Sequence, residues 1–164
     1  MQTVTRLRWI AIVLTLAVCV GQAHADSWLA FSQATNKVTI TSSNFNSATV
    51  LRRVIATCPE DGRLVATAEA GFGYSVAAPP DRAWVRYSIA KDAVAPFGID
   101  PNHYRNLQDD VSENPTSKPG GMMRVDACRR GEEVTYVFLG QRVHAVSAYA
   151  WQPRLVVVFY NTGL

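Results

Sequence analysis

Apolar and polar residues alternate with a period of two along most of the chain from residue 36 onward. In residues 82–90 (RAWVRYSIA), Ala83, Val85, Tyr87 and Ile89 fall on one side, and Arg82, Trp84, Arg86 and Ser88 on the other. Successive side chains of a strand point to opposite faces, so this segment predicts a half-buried β-strand. Val38 and Ile40 alternate with Thr39 and Thr41 in a shorter one. Residues 47–57 (SATVLRRVIAT) are a β-branched run with Arg52 and Arg53 inserted, and residues 63–70 (RLVATAEA) put Leu64, Ala66 and Ala68 on a common face. Between them lies Pro59-Glu60-Asp61-Gly62, where proline presets φ and glycine permits a left-handed position. These two runs are expected to pair as an antiparallel hairpin. A second hairpin is expected from residues 122–127 and 133–139 around Arg129-Arg130-Gly131-Glu132, with Val134, Tyr136 and Phe138 toward the core.

Residues 141–149 and 154–160 (RLVVVFY) supply two further strands. The unbroken apolar run of the last predicts a central strand covered on both faces. Residues 99–121, rich in Pro, Asn, Asp and Ser, read as one long irregular loop. No segment carries a period of 3.6. About eight strands at short spacing predict an all-β chain, an antiparallel β-sandwich or barrel, as a single domain over residues 26–164.

The first 25 residues break this pattern. Arg6 and Arg8 precede the apolar run of residues 9–20 (WIAIVLTLAVCV), Gly21 and Gln22 end it, and Ala23-His24-Ala25 supplies a small-x-small cleavage site. The run is well short of the roughly 20 residues a permanent membrane helix requires. It reads as a signal helix removed after Ala25, leaving no membrane span; Val18 is a poor residue before Cys19 for lipoprotein processing. The mature chain is then expected outside the cytoplasm, in the periplasm or the extracellular space.

Removing that segment changes two counts. The formal charge falls from +3 to +1, with 14 Lys+Arg left against 13 Asp+Glu, which gives no reason to expect nucleic-acid binding. Two cysteines remain, Cys58 and Cys128, and an even pair in an oxidising compartment predicts a disulfide. With 48% apolar and 18% charged residues, the chain is neither disordered nor a coiled coil.

The hairpin arm Gly131-Glu132-Glu133-Val134-Thr135-Tyr136-Val137-Phe138-Leu139, the closing Leu155-Val156-Val157-Val158-Phe159-Tyr160 and the earlier Thr57-Cys58-Pro59 with Gly62-Arg63-Leu64-Val65-Ala66-Thr67-Ala68 form a recognisable set. It resembles that of uncharacterised exported bacterial β-sandwich proteins, which in turn resemble the jelly roll of the complement and tumour-necrosis-factor group. The resemblance covers about residues 51–159, with 93–121 unmatched. It implies a jelly-roll fold and brings no catalytic or binding residues with it. Jelly rolls of that group often trimerise through aromatic faces, which implies possible self-association and a role for Trp84, Tyr87 or Tyr149.

Chemistry-bearing patterns are few. His103 and His144 stand about 40 residues apart without a second ligand at metal spacing, and Asp109, Asp110 and Glu113 lack the alternation and sharp-turn glycine of calcium loops. No metal and no cofactor is expected. There is no G-x-S-x-G elbow, and neither Gly71-Phe72-Gly73 nor Gly120-Gly121 sits between a strand and a helix as a phosphate loop would. The positive signal is Trp84, flanked on its face by Arg82 and Arg86. An exposed tryptophan between arginines can stack on a sugar ring or seat a protein partner, whereas cover from the other sheet or from residues 99–121 would make it structural. The expected function is a non-catalytic binding or structural module with a glycan or protein ligand. The alternative is a small secreted hydrolase, which would need His144 within reach of a serine and a carboxylate.

Overall fold

A computed structural model describes residues 27–44, 46–92 and 98–161, so the expected signal segment lies outside the described residues. Those residues form β1 (Ser27–Gln33), β2 (Lys37–Thr39), β3 (Thr49–Thr57), β4 (Gly62–Ser75), β5 (Asp81–Lys91), β6 (Tyr104–Val111), β7 (Thr116–Cys128), β8 (Glu133–Val143) and β9 (Ser147–Asn161). Sheet A runs β1-β9-β4-β7, with β2 also paired to β9, and sheet B runs β3-β8-β5-β6. All pairs are antiparallel. With β1 and β2 counted as one interrupted edge, this is the eight-strand jelly-roll order.

The core lies between the sheets where alternation puts it. Leu64, Ala66, Ala68 and Phe72 of β4 and Leu155, Val157 and Phe159 of β9 face Ala83, Val85 and Tyr87 of β5 and Val134, Tyr136 and Phe138 of β8, all of them buried. Phe72 stacks on Tyr87 with ring centroids 4.9 Å apart, and Phe138 meets both edge-on. Tyr87 is therefore a core residue and not an interface residue.

Several expected connections are different. The runs around Pro59-Glu60-Asp61-Gly62 do not pair, because β3 joins β8 in sheet B while β4 joins β7 and β9 in sheet A. The runs around Arg129-Arg130-Gly131 part in the same way, β7 into sheet A and β8 into sheet B. Both turns are arches from one sheet to the other. Turn residues report that the chain reverses, not which sheet receives it. The arches sit side by side: the Gly131 amide donates to the Cys58 carbonyl at 2.8 Å, the Cys58 amide to the Glu132 carbonyl at 2.9 Å, and the Arg130 amide to Asp61 at 2.7 Å. Cys58 and Cys128 are bridged across them, with Cα atoms 6.3 Å apart.

The stretch 99–121 is not one loop. It holds β6, which makes the β5–β6 hairpin, and the first half of β7. Asp, Asn and Pro are tolerated there because β6 and β7 are edge strands. The final strand is central in sheet A but covered on one face only: Leu155, Val157 and Phe159 are buried, and Val156 and Val158 are half-buried on the other side.

Candidate functional site

Arg82, Trp84 and Arg86 all point outward from β5 on sheet B, and the structure gives them different tasks. Arg86 is engaged within the sheet. Its Nε donates to Asn106 at 3.0 Å, its Nη1 to Gln141 at 3.4 Å, and its guanidinium lies 5.2 Å from the Tyr104 ring centre. Arg82 donates to Asp110 at 3.1 Å in an exposed ion pair of the kind that contributes little to stability.

Trp84 is half-buried between Val143 of β8 and Gln108 of β6, so β6 flanks it instead of covering it. Its ring lies 4.8 Å from the His144 imidazole, tilted by 59°. His144 is held in the left-handed region, φ 57°, in the turn from β8 to β9, where the Arg142 guanidinium donates to the carbonyls of Ala145 and Val146. A groove of about 400 Å³ results, lined by Asp81, Arg82, Trp84, Gln108 and His144.

Neither His103 nor His144 is bonded to a serine or a carboxylate among the described residues. His103 Nε2 donates instead to the Met123 carbonyl at 3.0 Å. No three His, Cys, Asp or Glu side chains converge as a metal would require among the described residues, and Asp110 serves Arg82.

The outer face of sheet A was not legible as a site, and its polarity is reversed at both edges. On β1 the outward residues are Leu29 and Phe31, 59% and 67% exposed, while Ala30 and Ser32 lie on the other side. On β7 Met123 and Val125, 59% and 47% exposed, point out, and Arg124 and Asp126 point in. Register aligns these across the sheet as Phe31–Val156–Thr67–Met123 and Leu29–Val158–Val65–Val125. Beyond them Glu69 pairs with Arg154 at 2.7 Å, and Gly71, Pro119 and Gly121 floor a hollow of about 480 Å³ beside Trp151. Tyr149 is taken up otherwise: its ring fills the space over Gly73, with Lys37 Nζ 5.0 Å from its centre.

The inward charges of β7 neutralise one another. Arg124 donates through Nη1 to Asp100 at 2.7 Å and to the Ile89 carbonyl at 3.1 Å, and through Nε to Asp126 at 2.9 Å. Tyr136 donates its hydroxyl to the same Asp126 carboxylate at 2.9 Å. Burial works against the Arg124 charge, but the bonds and charges of Asp126 and Asp100 raise its pKa. Burial, reinforced by Asp126, drives the Tyr136 pKa far above its ordinary value. This cluster closes the sandwich edge beside β7.

Among the described residues, no helix is long and apolar enough to cross a membrane. No family model matches the chain, and no curated protein does. Among solved structures, the chain is similar to the Eiger TNF of S. frugiperda at 10% identity and a TM-score of 0.35, over 83% of this chain and 94% of that one.

Proposed function

We propose that the protein is an exported, non-catalytic module that works by self-association, with the outer face of sheet A packed against a second copy. The observation that carries this reading is the reversed polarity of β1 and β7. A solvent-facing sheet surface places its large apolar residues inward, whereas here both edges present them outward. Leu29, Phe31, Met123 and Val125 are all exposed on this one face, and large apolar side chains grouped in the open mark an interaction surface. A second copy suits the face because its Glu69–Arg154 pair is already neutralised, which leaves Arg63 as the exposed charge beside the apolar rows and makes those rows the main feature a partner can meet. Protruding Phe31 and the hollow at Gly71 and Gly121 also make the surface complementary to itself. The disulfide and the basic, apolar and small-x-small order of residues 6–25 support export, to periplasm or beyond.

Two measurements test this. Intact mass of the protein from its producing cell should begin at Asp26; retention of residues 1–25 overturns export. In sedimentation equilibrium the mature protein should exceed its monomer mass, and F31D combined with V125D should return it to monomer with unchanged thermal stability. Wild-type protein that stays monomeric at every soluble concentration overturns self-association.

A further inference from the structure

We propose that the Trp84 groove on sheet B is a carbohydrate site that takes one or two pyranose units of a neutral glycan. A pyranose has an apolar C–H face and a rim of hydroxyls, so a protein binds it with an aromatic plane surrounded by polar groups. The groove has this composition: the Trp84 indole with Gln108, His144, Asp81 and Arg82 around it. Its volume of about 400 Å³ lies in the range of small-molecule sites.

Two further observations bear on what this groove can hold. The Gln108 amide and the His144 imidazole carry no hydrogen bond to the rest of the chain among the described residues, although both line the groove. Both side chains are exposed, so they stand open to a ligand beside the aromatic ring. The second is backbone conformation. His144 sits at φ 57°, a region that non-glycine residues adopt sparingly and that clusters at ligand-binding positions, and its ring rests against Trp84.

Charge selects the ligand class. Arg82 is paired with Asp110, and Asp81 accepts from the Arg82 amide at 2.7 Å, so two carboxylates stand around the one guanidinium at the groove and disfavour a phosphate, sulfate or uronate. A neutral sugar is the ligand this balance admits. The site lies on the sheet opposite the self-association face, so the two can be occupied together.

Cellotriose, chitotriose and the anionic 3′-sialyllactose are the probes, titrated into the mature protein by calorimetry with intrinsic fluorescence in parallel. At least one neutral trisaccharide should bind and perturb tryptophan emission. Binding should weaken by roughly tenfold or more in W84A, as loss of an aromatic plane implies, and stay within a few-fold in W84F. The exposed double variant Q108A/H144A should weaken it similarly and keeps the test open if W84A does not fold. W151A and the F31D/V125D variant should bind as wild type. Failure of both neutral sugars to bind at millimolar concentration overturns the proposal. So does binding that survives W84A or Q108A/H144A, or a preference for 3′-sialyllactose.

Discussion

Opening the Cys58–Cys128 bridge, by reduction or as C58A/C128A, should lower the unfolding free energy by about 4 kcal/mol and the melting temperature by roughly 10–20 °C. The bridge spans 70 residues of sequence, so in the chain-entropy account it removes many conformations from the unfolded chain. The folded state keeps its shape because the two arches also hold each other through the backbone bonds of Cys58 to Gly131 and Glu132. Denaturant unfolding with and without a reductant measures the effect, and a loss under about 1 kcal/mol would show that those backbone bonds suffice.

Removing the Arg124 guanidinium should cost about 2–4 kcal/mol in R124A, since it leaves Asp100 and Asp126 close together, mostly buried and without their cation. Exposure of the cluster at the β7 edge keeps the figure below that of a fully buried pair. R124K should recover only part of it, because an ammonium cannot bond both carboxylates and the Ile89 carbonyl in the planar geometry seen here. The same cluster sets a pH dependence. Tyr136 has a folded-state pKa above its ordinary 10.0, so the folded protein keeps a proton that the unfolded chain surrenders. Its contribution is complete below pH 10 and is lost progressively as pH rises beyond it. Y136F should lose about 1 kcal/mol at neutral pH and show a shallower decline above pH 10, read by thermal melts across pH. An unchanged alkaline slope would assign that decline to other groups.

The inner faces of β4 and β5 were legible because the residues between are mostly polar, so a period of two marks the buried side; β8 is buried on both, with Val137 and Leu139 packed on Ala90 and Ile99. That rule has no purchase on β1 and β7. Leu29 and Phe31 alternate with small residues, and Met123 and Val125 alternate with Arg124 and Asp126, so a solvent-exposure reading assigns the faces backwards or finds no strand. Composition hid β6, whose Asn106, Asp109 and Asp110 read as loop and are tolerated because only β5 pairs with it. Of the groove, Arg82 and Trp84 were legible from one strand's alternation. Gln108 was not, since it arrives from a segment read as loop, and His144, singled out only as a hydrolase's histidine, arrives from a break within a segment read as strand. The cysteine pair was legible by count alone, as it required no geometry.

Among the described residues β1 and β2 pair only with β9, and β9 also lies against β4 at the centre of sheet A. β1 and β2 therefore find their partner more than a hundred residues further along the sequence. Pairings so distant in sequence form late, because loop closure must precede their reward. β9 is thus the strand that joins the two parts of sheet A: without it β4 and β7 can still pair, but β1 and β2 have nothing to hold them.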